Sequence, residues 1–177
     1  MDPNDISAHI EIQQVLYRYC RAIDRGDVTL LKSVYHPDAT DAHGAFNGPA
    51  HEFAEIIVAR MNVFQVTGQH QITNIIIELD GEAARVESYF QAFHPSVLEG
   101  GGEGLAFAVG RYLDRFERRD GAWKIADRRV VFDHARAPAK FAAWETAAQY
   151  PQGGRLELDP SHAFFGARAA LGGNIQS

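Results

Sequence analysis

Apolar side chains recur every three to four residues over the first sixty positions and then switch to alternate positions, which divides the chain into a helical first part and an extended second part. Ile12, Leu16, Tyr19 and Ile23 form one helical stripe that runs to Asp24, with Asp5 or Ser7 as the N-cap, while Arg18, Arg21 and Arg25 point elsewhere. Gly26 stops this helix and Asp27 caps the next, over 28–34. His36-Pro37-Asp38-Ala39-Thr40 ends the second helix, because proline disfavours helix in the residue before it, and a short β segment is predicted around 40–46. Gly44 and Gly48 mark turns. Pro49 suits a first helical turn, so a third helix is predicted over 50–64, carrying Phe53, Ile56, Ile57, Arg60 and Met61 at helical spacing.

From Gly68 onward, β-branched and aromatic residues gather in four runs, 69–79, 83–94, 105–118 and 122–134. Asp80-Gly81 and Asp120-Gly121 are tight-hairpin dipeptides, so the first two runs and the last two runs should pair antiparallel, and 95–104, with Gly100-Gly101-Gly102, is a longer loop. Helices followed by a strand meander is the α+β pattern: three N-terminal helices packed on one side of a strongly curved, mainly antiparallel sheet. Beyond 136 the pattern weakens. A helix is expected over 139–149, and Asp159-Pro160 opens a short one through Phe164, Phe165 and Leu171.

The 177 residues suffice for one good core, which suggests a single domain over 1–136 and an extension over 137–177. Phe164-Phe165 is too apolar for a free tail, so the extension should dock on the domain or on a neighbouring subunit. With Phe141 and Trp144 it adds apolar surface that favours a homo-oligomer. A net charge of −6 without a Lys/Arg cluster argues against a nucleic-acid partner. Cys20 is the only cysteine, which leaves no disulfide framework and no thiolate metal site. The absence of a signal-peptide pattern and of a long apolar run points to a cytoplasmic protein with no membrane partner. His36, Asp38, Asp41 and His43 have the residue types of a metal site, but their crowding on a turn and a short strand gives no convergent geometry, and no glycine-rich phosphate loop is present. No metal and no cofactor is expected.

A carboxylate half turned toward a core needs a partner, and for Asp24 the candidate is His70, at the polar opening of the run 69–77. An imidazole oriented by a carboxylate can remove a carbon-bound proton and later return one to a leaving group. Pairing of Asp24 with Arg21 or Arg25 is the plain alternative. Tyr17 and Tyr19 both lie near the helix stripe, as core aromatics or as a donor beside the acid. Tyr17, seven residues before Asp24, shares its stripe more closely. Alternation with Val130 and Phe132 turns Arg128 inward and Arg129 outward, and His94 shares a strand face with Ser88 and Phe90.

The chain resembles the SnoaL-like branch of the nuclear transport factor 2-like superfamily. The resemblance is carried by Tyr19 to Asp24 followed by Gly26-Asp27, by His36-Pro37-Asp38-Ala39, by Gly44 to Gly48, by His70-Gln71-Ile72-Thr73-Asn74 and by Arg118 through Ile125. It covers about residues 5–135 and implies a cone-shaped fold. Relatives include scytalone dehydratase, hexachlorocyclohexane dehydrochlorinase, bile-acid 7α-dehydratase, ketosteroid isomerase, polyketide cyclases and the small subunits of ring-hydroxylating dioxygenases. In the dehydratase and dehydrochlorinase relatives an aspartate ending the first helix and a histidine opening the first long strand form the acid–base dyad, positions that Asp24 and His70 match. The resemblance further implies an assisting role for Tyr19 and a role near the leaving group for Arg128. The expected activity is a cofactor-independent lyase, dehydratase-like, with isomerisation or carbon–carbon cleavage as variants, acting on a small apolar alicyclic or aromatic molecule. Phe53, Ile57, Met61, Phe90, Phe107 and Phe132 would line the pocket, with Tyr17 and His94 at its polar side. The alternative from another class is a non-catalytic binding or assembly subunit, in which Asp24 and His70 would not touch.

Overall fold

The computed structural model describes residues 2–65, 67–140 and 149–165. Helix α1 (Pro3–Arg25) is capped one turn earlier than expected: Asp2, not Asp5 or Ser7, accepts from the Asn4 N–H at 2.8 Å, and Pro3 occupies the first turn, where no N–H is needed. Gly26 ends the helix in the left-handed region at φ 66°, its N–H bonded back to Ala22 and Ile23. One residue later Asp27 caps α2 (Val28–Ser33) by accepting from the Leu30 N–H at 2.9 Å. Helix α3 (Ala50–Met61) follows Pro49 and is shorter than its expected span. Its buried stripe is Ala50, Phe53, Ala54, Val58 and Met61, whereas Ile56 is 54% exposed.

Six strands form one sheet in the order β2-β1-β6-β5-β4-β3. They are β1 (Tyr35–His43), β2 (Phe46–Pro49), β3 (Gln69–Asp80), β4 (Ala83–Val97), β5 (Glu103–Arg119) and β6 (Ala122–Ala139). All neighbours are antiparallel except β1 and β6, which run parallel. The second helix ends ahead of the His36-Pro37-Asp38 stretch as expected, but the strand begins earlier than the expected segment and takes this stretch in. The stretch lies where the register to β6 shifts between Tyr35 and Thr40, and such an irregularity is where a strand tolerates a proline that cannot donate to the ladder. Gly48, expected in a turn, lies in β2, and the β1–β2 hairpin turns at Gly44 with φ 67°. Asp120 and Gly121 both have positive φ, as the β5–β6 hairpin requires.

Helices α1 and α3 pack on the inner face of the sheet, where even-numbered residues of β4 and β5 point. The core there includes Ala84, Val86, Phe90, Ala92, Tyr112 and Phe116 against Ile12, Leu16, Tyr19 and Ile23. An ion pair lies inside it. Arg128 and Asp114 stand opposite each other across β5 and β6, both side chains wholly buried, and the guanidinium donates twice to the carboxylate at 2.7 Å. Its carbon is 4.0 Å from the ring centroids of both Tyr19 and Tyr112.

Strand β6 carries the sheet past residue 136 to Ala139. The helix expected over 139–149, together with Phe141 and Trp144, falls almost wholly outside the described residues, as does Leu171. The C-terminal segment folds back on the ends of α1 and α3 through a 3₁₀ turn (Leu156–Leu158) and α4 (Pro160–Phe165). Arg155 donates to the carbonyls of Phe64 and Met61, Arg21 donates to Ser161, and Arg25 pairs with Asp159 at 3.3 Å. These contacts are polar, the Arg21 guanidinium lies 5.6 Å over the Phe165 ring, and Phe164 and Phe165 are 83% and 58% exposed. No helix among the described residues is long and apolar enough to cross a membrane.

Two stability outcomes follow. Asp114→Ala should cost about 3–5 kcal/mol in urea denaturation, because it leaves Arg128 charged and unpaired in the core. Gly110→Val should cost about 1–3 kcal/mol or more, because a Cβ at Gly110 would sit 2.1 Å from the Val131 carbonyl oxygen and 2.9 Å from the Phe90 ring. An unchanged midpoint in either variant would contradict the packing described.

Candidate active site

Asp24 is the last buried residue of α1, and the left-handed turn at Gly26 frees the chain immediately after it. The carboxylate points to the first residues of β3, the strand that α1 crosses. His70 meets it twice: the backbone N–H donates to Oδ2 at 3.0 Å and the ring Nδ1 lies 2.7 Å from Oδ1. Both side chains are nearly inaccessible, at 9% for Asp24 and 4% for His70. The alternative partners, Arg21 and Arg25, turn instead to Ser161, Gly154 and Asp159 in the C-terminal segment. A carboxylate that accepts from both the backbone and the ring of one residue fixes the ring plane. It also holds the Nδ1–H tautomer, which leaves Nε2 as the reactive edge.

His94 lies on the inner side of His70, edge to face, with ring centroids 4.9 Å apart. Burial lowers its pKa first, and the positive charges of His70, His43 and Arg60 lower it further, to about 3. His94 is therefore a neutral imidazole at every physiological pH. Toward solvent, an open depression of about 290 Å³ between α1 and β3 reaches the dyad and is lined by Tyr17, Cys20, Arg21, Asp24, Arg25, His70 and Ile72.

The two tyrosines separate cleanly. Tyr17 is 45% exposed and borders the depression beside the dyad. Tyr19 is fully buried against Tyr35, Tyr112 and Arg128, and burial pushes its pKa well up, so it keeps its proton. Arg128 points inward as alternation predicts, but its charge is already engaged by Asp114. Tyr19 Oη, Arg128 Nη1 and Ser88 Oγ are buried without a hydrogen bond.

Of the expected apolar lining, Phe90 stacks on Tyr112 and meets Phe132 edge to face at 5.9 Å. Phe132 is 56% exposed. Phe53 and Met61 are buried on α3, and Ile57 is half-buried against the core. Phe107 is a correction. It pairs with Phe93 across β4 and β5, 5.1 Å apart, on the outer face, because odd-numbered residues of β5 point away from the cleft and Ala106 and Ala108 point in. Two inner residues escaped the sequence reading as a pair, Asp41 and His43 of β1. Their two-residue spacing on the segment expected to be extended was the available signal. Among the described residues no three His, Cys, Asp or Glu side chains group as a metal site.

Because His94 resists protonation down to about pH 3, whereas an unfolded histidine takes up a proton near pH 6.5, its contribution to stability is full above 6.5 and is lost as pH falls toward 3. Urea denaturation of His94→Gln between pH 7 and 4 should show a shallower loss of stability than the wild type. Parallel curves would contradict a buried neutral His94.

Three comparisons bear on this arrangement. The uncharacterized protein Rv2910c of Mycobacterium tuberculosis (strain ATCC 25618 / H37Rv) is 31% identical over 129 residues, 70% of this chain and 84% of the relative. Among solved structures, Rv3472 of Mycobacterium tuberculosis, of unknown function, is 26% identical with a TM-score of 0.62, covering 75% of this chain and 77% of that one. The hexachlorocyclohexane dehydrochlorinase LinA-type3 of Novosphingobium barchaimii LL02 superposes with a TM-score of 0.69 at 19% identity, covering 81% of this chain and all of that one, a likeness of fold. The fold is the α+β cone of the nuclear transport factor 2-like superfamily. The model of the SnoaL-like domain matches residues 4–129, and the chain belongs to that family.

Proposed function

We propose that the protein is a cofactor-independent lyase that eliminates water, or a comparable leaving group, from a small apolar alicyclic or aromatic molecule by acid–base chemistry at His70. The observation that carries this reading is the double contact of Asp24 with His70, through Nδ1 at 2.7 Å and the backbone N–H at 3.0 Å. A non-catalytic binding or assembly subunit would have no use for a carboxylate that orients an imidazole so completely. The similarity in fold to a protein that is by name a dehydrochlorinase agrees with elimination.

The steps follow from the geometry. Nε2 of His70 removes a proton from carbon next to an activating group. Asp24 stabilises the imidazolium so formed without taking the proton itself. Phe90 and Phe132 supply an apolar wall, and neutral His94 stands beside His70 without a repelling charge. Isomerisation or carbon–carbon cleavage would use the same first step, and the nature of the group beta to the carbanion decides among them.

His70→Ala should lower turnover about 10²–10⁴-fold, measured on a panel of hydroxylated and chlorinated alicyclic compounds by product analysis. Asp24→Asn should leave KM near the wild-type value and lower kcat strongly, since it disturbs the orientation of the base and not the apolar wall. Turnover that survives undiminished in His70→Ala would remove the dyad from the chemistry.

A further inference from the structure

The wall of the depression that reaches the dyad carries an arginine whose charge no carboxylate balances. Tyr17, Arg21 and Asp24 follow one another at helical spacing along one face of α1, and all three line this depression of about 290 Å³ together with His70 and Ile72. Asp24 spends one oxygen on the His70 ring and the other on the His70 N–H. Arg25, on the same wall, pairs with Asp159 and donates to the Gly154 carbonyl. Arg21 has only a hydroxyl: Nη1 and Nη2 both donate to Ser161 Oγ at 3.3 Å, and the guanidinium lies over the Phe165 ring at 5.6 Å. Among the described residues it makes no ion pair and no other hydrogen bond.

This guanidinium is held in place without being neutralised. Ser161 and Phe165 both belong to the C-terminal segment, and by fixing the plane of the Arg21 head they reduce the side-chain freedom that binding must remove. The contacts with Ser161 use one hydrogen of each Nη and leave the Nε–H edge, the edge that meets a carboxylate with two parallel bonds. Arg21 and Arg25 also wall a second hollow, of about 330 Å³, against Leu156 and His162, but there Asp27 and Glu157 line it with them. An anion is better matched on the dyad side, where the lining acid is Asp24 and both its oxygens are already bonded.

We propose that Arg21 is a specificity-determining residue of the site: it takes the carboxylate of an anionic substrate, an alicyclic or aromatic carboxylic acid whose apolar body lies between Tyr17 and Ile72. This rests on the reading of Asp24 and His70 as an acid–base pair. The half-exposed Tyr17 ring and Ile72 offer that body its apolar contact. Arg21 stands less than one helical turn from Asp24, so a carboxylate anchored on it keeps the attached ring in the depression beside His70. The negative charge of the substrate then rests against a cation and not against the Asp24 carboxylate. The C-terminal segment becomes part of the binding site, because it orients the side chain that anchors the substrate.

Two probes of one shape read the charge: cyclohexanecarboxylate and its neutral counterpart cyclohexanecarboxamide, titrated at neutral pH and followed by ¹⁵N-edited NMR. The wild type should bind the carboxylate about 10-fold or more tightly than the amide. Arg21→Met keeps the apolar stem, removes the charge and should bind the two alike. A wild type without the preference, or an Arg21→Met variant that keeps it, overturns the anion site. Ser161→Ala removes the bonded hydroxyl and leaves the charge, so it should still prefer the carboxylate; a loss as complete as in Arg21→Met assigns the selectivity to the docked segment and overturns the role of Arg21. The place is read separately. Saturation with the carboxylate should shift the ring signals of His70, identified by their disappearance in His70→Ala, and unshifted signals overturn the link between Arg21 and the dyad. His70→Ala should itself keep the preference, and its loss there puts the anion on the imidazole and overturns the assignment to Arg21. Undiminished turnover in His70→Ala, by contrast, overturns the dyad reading alone.

Discussion

An arginine shut away from water must be compensated within the protein, and Arg128, at every nitrogen but Nη1, is compensated by contacts that bind strands and helix to one another. Its two donors engage Asp114 across β5 and β6, and its flat faces meet Tyr19 from α1 and Tyr112 from β5. Burying such a pair yields little net stability when the desolvation of both charges is counted, but separating the partners is expensive. The consequence is positional. Helix α1 is held in rotation and in height by Tyr19 against the guanidinium, and five residues later the same helix delivers Asp24 to the opening of β3. The distance between Asp24 and His70 thus depends on a contact at the floor of the cone.

The dyad is built with little slack. Gly26 lets the chain turn away one step after Arg25, and the capping of α2 by Asp27 fixes where it goes next. Arg21 and Arg25, which would otherwise compete for Asp24, are drawn off by Ser161, Gly154 and Asp159. The C-terminal segment therefore affects the pair without touching it: by occupying two cations it leaves the carboxylate to a single histidine.

Much of this was legible in the chain. Helical spacing located α1 through α3, the two Asp-Gly pairs located the hairpins, and a half-buried acid in search of a partner led to His70. The failures have physical causes. Pro37 reads as a break because a central strand has no place for it, yet the register shift between Tyr35 and Thr40 accommodates it, so that β1 begins at Tyr35, ahead of the segment expected over 40–46. Phe107 shows how a period of two punishes an error of one: aromatic content suggested lining, and parity placed the ring outside. Arg128 illustrates a different limit. Alternation gives its direction, but that its charge is spent on Asp114 depends on pairing between strands, which local pattern does not encode.

The inner surface of the cone is graded in charge as well as in depth. At the floor, the ion pair and the tyrosines Tyr19, Tyr35 and Tyr112 are sealed, with burial raising all three hydroxyl pKa values so that none ionises. Phe132 and the half-exposed His43 meet solvent. His70 is fixed by Asp24, and His94 is stripped of its proton by burial and by the cations around it. A neutral imidazole there matters, because a permanent cation beside His70 would oppose any positive charge on that ring. Of the two neighbouring histidines, only His70 has a carboxylate behind it, and His94 meets it as a neutral ring.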